Sequence, residues 1–191
     1  MYNGLELFSN EQATGVANLL LSIYQHFHFN YPKFYKMDNL SKLGWLASEV
    51  LLKDIDLRND HQPEEVGMVL ANANSSLDND LRYYNTIDDV PSPAVFVYTL
   101  PNIVIGEICI RNNIKGEHSF FIQPAFDANF IHEQVSYLLD HDILNTCICG
   151  WVDVLGDQYK AALYLVEKQD RVSSMPFTPQ HMDRLFNTKN S

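Results

Sequence analysis

The three cysteines are the residues best suited to nucleophilic or metal chemistry. Cys147 and Cys149 lie two positions apart in an apolar run typical of a strand, so both side chains point the same way. A zinc site would need two more soft ligands, and the sequence places none nearby. We therefore predict that these two residues, and Cys109 in a helical segment, pack in the core, and that the chain has no metal or cofactor.

The histidines and the common catalytic motifs give no stronger signal. His26 and His28 lie two apart at a helix end, where they do not share a face. A favourable charge at the helix C-terminus explains them better than zinc. His132 and His141 are expected to be exposed. The Gly-x-Ser-x-Gly hydrolase motif, the dinucleotide-binding Gly-x-Gly-x-x-Gly motif and the Walker lysine motif are absent.

A polar loop follows the most apolar segment of the chain. Val66–Ala71 is a continuous apolar run, as expected of a strand buried on both faces. Asn72, Asn74 and Ser75 come directly after it. Ligands of open α/β sheets bind at the carboxyl ends of strands, so these three residues form a candidate ligand loop. A solvated turn is the alternative that we favour.

A strand-to-helix elbow is informative because it lacks a nucleophile. The strand Ser119–Gln123 leads into a helix that starts near Asp127, and Ala125 lies between them. A thiol at this position would lie at the positive end of the helix dipole, which lowers its pKa. The residue is alanine, and its polar neighbours Asp127 and Asn129 are predicted to be caps.

The remaining strands and helices alternate, which predicts a layered α/β fold. Strands are expected at Leu5–Phe8, Val66–Ala71, Ser119–Gln123, Thr146–Val152 and Ala161–Val166. Helices are expected to begin at Ser9, at Asp38, at Thr99, near Asp127 and at Thr178, each of which can cap a helix. Gly106 lies inside the third helix at a cost of about 1 kcal/mol relative to alanine. We therefore expect another element to approach it closely.

Composition excludes several classes of protein. The 191 residues are 46% apolar and 19% charged, which indicates a globular domain with a core. A net charge of −11 argues against a nucleic-acid-binding surface. Three cysteines argue against a disulfide framework. We find no signal peptide and no apolar run long enough to span a bilayer, so we expect a soluble, cytoplasmic protein without a membrane span.

Several segments, taken in order, resemble a known family. Pro91–Asn102, Gly106–Arg111 and Gly116 are similar to the stretch before the active-site cysteine of β-ketoacyl-acyl-carrier-protein synthases. Other segments resemble further parts of the N-terminal half of these enzymes: Met37–Gly44, Val66–Leu77, Cys149–Asp153 and Ala161–Glu167. The resemblance implies a thiolase-like N-terminal half, layered α-β-α with a mixed five-stranded sheet, over residues 1–170. A tail with a short helix follows at 171–191.

The departures from this family concern its chemistry. Counting from Gly116, the nucleophile position falls on Ala125, and a thioester cannot form on a methyl group. We expect no second half with the catalytic histidines. The resemblance therefore implies a non-catalytic, chain-length-factor-like accessory protein in fatty-acid or polyketide synthesis, for example of aryl polyenes. The alternatives are a synthase-type acyltransferase completed by a partner chain, and an acyl-binding or acyl-carrier-binding module.

The resemblance also implies partners. The dimer edge of the family is the strand that leads to the cysteine, here His118–Gln123, so Phe120, Phe121 and Ile122 are the candidate interface. We expect a homodimer or a heterodimer with an active ketosynthase, and an acyl carrier protein as a further partner. The helix after the elbow carries a polar side, which predicts partial exposure; its residues are His132, Glu133, Ser136 and Asp140.

Overall fold

The computed structural model describes residues 2, 5–10, 12–88, 90–168 and 175–188. Within these residues, four strands form one mixed sheet in the order β2-β1-β3-β4. The strands are β1 (Val66–Asn72), β2 (His118–Ile122), β3 (Thr146–Leu155) and β4 (Gln158–Glu167). β1 is parallel to both of its neighbours, whereas β3 and β4 form an antiparallel hairpin. The α/β class is confirmed.

The expected fifth strand is not part of the sheet. Leu5 is 68% exposed and forms only an isolated bridge with Tyr2. The side chains of the segment from Leu5 to Phe8 are exposed or half-buried. The segment therefore buries too little apolar surface to be held as a strand of the sheet. The sheet of the described chain is therefore four-stranded, and the expectation of five strands is wrong.

Helices cover both faces of the sheet, which gives three layers. The helices are α1 (Val16–His26), α2 (Asn39–Leu51), α3 (Leu57–Asp60), α4 (Leu77–Tyr84), α5 (Pro93–Phe96), α6 (Ile103–Asn112), α7 (Ala128–Asp140) and α8 (Pro179–Asn187). α1, α2 and α6 pack on one face and form the larger core, and α7 and α8 pack on the other. The start of the predicted tail, at Arg171, lies outside the described residues.

β1 lies between the two cores. All seven of its residues are buried, as the continuous apolar run predicts. Met68 and Leu70 face the larger core, and Val69 faces the α7 side together with Cys147 and Cys149. These two cysteines are fully buried, as predicted, and Cys109 is half-buried against the larger core.

An aromatic cluster joins the helices of the larger core. Trp45 of α2 is fully buried, and the ring of Tyr31 stacks on it at 5.2 Å. The guanidinium of Arg111 lies 5.4 Å from the Tyr31 ring centroid and donates to the Glu49 carboxylate at 2.9 Å. The cation and the stacked rings thereby connect α6 to α2 and to Tyr31, which precedes α2 in the chain.

The capping predictions hold where the cap and the apolar stripe are adjacent in sequence. The Asp38 carboxylate accepts from the Ser41 N–H at 3.0 Å, the Asp127 carboxylate from the Phe130 N–H at 3.0 Å, and the Thr178 hydroxyl from the His181 N–H at 3.3 Å. These bonds satisfy N–H groups that have no partner inside the helix.

Two helix starts differ from the expectation. α1 begins at Val16 rather than at the capping box of Ser9, because the Asp157 carboxylate in the β3–β4 turn accepts from the Val16 N–H at 3.1 Å. α6 begins at Ile103, since the residues after Thr99 form turns.

The glycines of α2 and α6 differ in their surroundings. A Cβ on Gly106 would meet no atom within 4 Å, so the expected close approach is wrong. A Cβ on Gly44 of α2 would lie 2.3 Å from Cγ2 of Val104 in α6. The close approach of the two helices therefore occurs at Gly44.

These surroundings give a matched pair of substitutions. We expect Gly106→Ala to raise the free energy of unfolding by about 0.5–1 kcal/mol, because alanine is the better helix former. Gly44→Ala should lower it by about 1–3 kcal/mol through overpacking. Urea unfolding followed by circular dichroism measures both, and a stability gain in Gly44→Ala would contradict the packing described.

Candidate functional site

The elbow between β2 and α7 is the site that the sequence singles out. Ala125 is exposed there, two residues before Asp127, the N-cap of α7. A cleft of about 280 Å³ is lined by the elbow, from Gln123 to Asn129, and by Asp183 of α8. The Gln123 N–H donates to the Asn72 carbonyl at 2.9 Å, which places the elbow beside the loop after β1.

The carboxylates at this elbow disfavour the presence of an anion. The N-terminus of α7 supplies the positive end of a dipole, but the Asp127 carboxylate already caps it. Asp183 adds a second exposed carboxylate to the same cleft. A methyl group at Ala125 supplies no nucleophile. The elbow therefore combines a helix N-terminus, two carboxylates and an exposed methyl group.

α8 is held at the elbow by an aromatic stack. The Phe186 ring stacks on Phe126 at 4.0 Å and 11°, and the Lys160 ammonium lies 3.6 Å from the Phe186 ring centroid on the β4 side. The Tyr164 hydroxyl donates to the Met182 carbonyl at 2.9 Å, and Met182 is buried. The sequence predicts the helix but not its position, since its partners are on β4 and the elbow.

The predicted ligand loop is occupied by hydrogen bonds within the protein. The side chain of Asn72, fully buried, donates to the Ser75 carbonyl at 2.8 Å and accepts from its N–H at 2.9 Å. Asn74 donates to the Asp153 carboxylate at 2.8 Å, and the N–H groups of Ala73 and Asn74 donate to the same carboxylate. These bonds favour a structural turn, although Asn72 is buried rather than solvated.

β2 is an edge strand, as the candidate interface requires. In the described chain it pairs only with β1. The three candidate residues differ: Phe120 is half-buried against the larger core, and Phe121 packs edge-on against Phe130 at 4.9 Å. Ile122 is 51% exposed. A cleft of about 300 Å³ next to the strand includes Phe121 and Tyr137 of α7.

The predicted polar side of α7 is partly exposed. Glu133 and Asp140 are exposed, whereas His132 and Ser136 are half-buried. The His132 ring stacks on Phe177 at 4.8 Å, next to α8. His141, just beyond the helix, is exposed.

Metal and thiol chemistry find no support among the described residues. No group of three or more His, Cys, Asp and Glu side chains in this part of the chain is arranged to hold a metal ion. Burial raises the pKa of Cys109 to about 11 and that of Cys147 to about 12, and it raises the pKa of Cys149 well above its usual value.

Across the described residues, the helices are too short or too polar to cross a bilayer.

Three known structures with a similar fold contain a ketosynthase. No protein-family model and no curated protein matches the sequence. The ishigamide ketosynthase/chain length factor matches with a TM-score of 0.54 and 22% identity, over 64% of this chain and 36% of that one. The ketosynthase ApeO in complex with its chain length factor ApeC, from Xenorhabdus doucetiae, gives a TM-score of 0.57 and 13% identity over 83% of this chain and 72% of that one.

A third match is the complex AntDE:AntF, a type II PKS acyl-carrier protein with its ketosynthase bound to the hexaketide. Its TM-score is 0.52 at 16% identity, over 73% of this chain and 46% of that one. The chain has a ketosynthase-like fold. It spans about a third and about half of the first and third matched chains, and nearly three quarters of the matched chain in the Xenorhabdus doucetiae complex.

The buried thiols generate a test of the core. Because raised pKa values keep Cys109, Cys147 and Cys149 neutral, we expect no rapid reaction with Ellman's reagent at a pH of about 8. In guanidinium chloride all three should react. Fast labelling of two or more thiols in the folded protein would contradict the packing of β3, because Cys147 and Cys149 lie on β3 whereas Cys109 lies on α6.

The elbow generates a second test. Ala125→Cys should place an exposed thiol at the helix N-terminus, yet its pKa should stay at or above about 8.5, because two carboxylates counter the dipole. The pH dependence of iodoacetamide alkylation measures this pKa. Adding Asp183→Asn should lower it. A pKa below about 7 in the single variant would show that the elbow still activates a thiol.

Proposed function

We propose that this chain is a non-catalytic, chain-length-factor-like accessory subunit that pairs with an active ketosynthase in fatty-acid or polyketide synthesis, for example of aryl polyenes. The observation that carries the proposal is Ala125, a methyl group at the strand-to-helix elbow of a ketosynthase-like fold. The chain keeps the scaffold of the acyl-transfer site without the residue that would form a thioester.

The electrostatics of the elbow support the non-catalytic role. An active elbow uses the helix dipole to stabilise a thiolate. Here Asp127 caps the helix and Asp183 of α8 lines the same cleft, so two negative charges occupy the region where an anion would form. A partner chain that supplied a nucleophile would meet the same repulsion, which argues against an acyltransferase completed by a partner.

The partner proposal rests on the sheet edge and on the similar structures. β2 exposes the edge of the sheet and the side chain of Ile122. Unpaired strand edges are sites of association with another chain. The Xenorhabdus doucetiae structure is a ketosynthase in complex with its chain length factor. We therefore propose that an active ketosynthase covers β2.

Affinity purification of the tagged chain from its native organism tests the pairing. We expect an active ketosynthase to co-elute in stoichiometric amount, as identified by mass spectrometry. Ile122→Asp should abolish co-elution, because it places a charge on the proposed contact. Ile110→Asp is the matched control, since Ile110 is a 67% exposed isoleucine on α6. Recovery of the chain without a ketosynthase would contradict the pairing.

Incubation with a radiolabelled acyl-carrier thioester tests the absence of catalysis. We expect no covalent acyl group on this chain after denaturing electrophoresis, whether or not the co-eluting ketosynthase is present. The ketosynthase is the positive control, because it should become labelled. A label on this chain would overturn the non-catalytic role, whereas non-covalent retention of the carrier would indicate a binding module.

A further inference from the structure

Lys42 of α2 is a half-buried lysine that no carboxylate neutralises by direct contact. Four other lysines have a carboxylate oxygen between 2.5 and 3.8 Å from the ammonium nitrogen: Lys33, Lys53, Lys115 and Lys168. Within the part of the chain that the structure describes, Lys42 has no such partner. The Phe34 ring, whose centroid lies 5.7 Å from Nζ of Lys42, shields one side of this group from water. The ammonium therefore loses part of its hydration without an ion pair to replace it.

The charge that faces Lys42 from the neighbouring helix is the guanidinium of Arg82, on α4. The side-chain amide of Asn39 at the start of α2 donates to the Asp78 carboxylate of α4 at 3.4 Å, which places the two helices side by side. Lys42 lies three residues after Asn39, and Arg82 lies four residues after Asp78, so each cation is one turn further along its helix. The two cations lie close enough to repel each other.

These surroundings favour the neutral amine of Lys42. Burial lowers the pKa of the amine, and the like charge of Arg82 lowers it further. Lys42 also lies in the first turn of α2, near the positive end of the helix dipole. The Asp38 carboxylate acts in the opposite direction, but it is itself buried and accepts from the Ser41 N–H at 3.0 Å.

The two side chains together match a particular class of electrophile. A lysine amine beside another cationic group is an activated nucleophile. A guanidinium binds phosphate through paired N–H donors, and Arg82 is exposed and forms no ion pair among the described residues. We propose that Lys42 is a site of covalent acylation by acyl phosphates, with Arg82 binding the phosphate group.

The reaction exchanges one bond at the acyl carbon for another. The neutral amine of Lys42 attacks this carbon, so that an N–C bond forms while the C–O bond to the phosphate breaks. The electron pair of the broken bond leaves with the phosphate, which takes up the amine proton and departs as hydrogen phosphate. The product is an uncharged amide, so acylation also removes the repulsion between Lys42 and Arg82.

Peptide mass spectrometry of the isolated chain after incubation with acetyl phosphate tests the proposal. We expect Lys42 to be acetylated roughly 5-fold faster than Lys36 or more. Lys36 is an exposed lysine that likewise has no ion pair among the described residues. Arg82→Gln should slow the acetylation of Lys42 by roughly 5-fold. The same variant should raise the pH at which this rate levels off, because the like charge is gone.

Arg184→Gln is the matched control, since it removes an exposed cation from α8 on the other face of the sheet. It should leave the acetylation of Lys42 unchanged. Circular dichroism should show that both variants remain folded, because both arginines are exposed. Equal acetylation of Lys42 and Lys36, or a Lys42 rate that Arg82→Gln does not lower, would overturn the acylation site.

The uncharged ester N-acetoxysuccinimide separates the two roles of Arg82. Its reaction requires the neutral amine of Lys42 but no phosphate contact, so Arg82→Gln should slow it less than it slows acetyl phosphate. Equal slowing of the two reagents would overturn the role of Arg82 in binding the phosphate.

This test does not depend on the proposed function, because it uses neither a ketosynthase nor an acyl carrier. An acyl-carrier thioester has no phosphate on its acyl carbon, so the absence of labelling expected in the thioester experiment is unaffected.

Discussion

The burial of β1 on both faces is the constraint on which the rest of the structure depends. All seven residues of the strand are buried, and both of its neighbours run parallel to it. Parallel pairing requires a crossover on each side. The chain crosses one face through α6 before β2, and the other through α7 before β3. Two cores follow, and the carboxyl ends of β1 and β2 meet where the Gln123 N–H donates to the Asn72 carbonyl.

The sequence predicts those elements whose signals are local. The apolar run identifies β1, and side-chain caps identify the starts of α2 and α7. The sequence does not predict the start of a helix that is set by a residue far away along the chain. The start of α1 is set by Asp157, which is 141 positions away along the chain. α4 is not predicted, because polar side chains of this helix make hydrogen bonds to other parts of the protein. A run of polar residues in the sequence indicates a solvated loop instead.

The candidate site shows the same division. The strand, the turn and the cap around Ala125 are adjacent in sequence, so the elbow is predictable from spacing alone. The carboxylate of Asp183 reaches the cleft only because α8 packs there, through the stacking of Phe186 on Phe126. The stretch before α8 carries no signal for that position. The electrostatic character of the elbow is therefore a tertiary property that no local pattern contains.

The two tryptophans give the protein an internal optical reporter for each side of its sheet. Trp45 is enclosed in the aromatic cluster of α1 and α2. Trp151 is 5% exposed on the opposite face, where Phe126 and Phe186 meet it edge-on at 6.3 and 6.4 Å. A change in the emission of Trp151 alone thus follows the undocking of α8, whereas a change in both reports loss of the whole fold. No extrinsic dye is required to separate the two events.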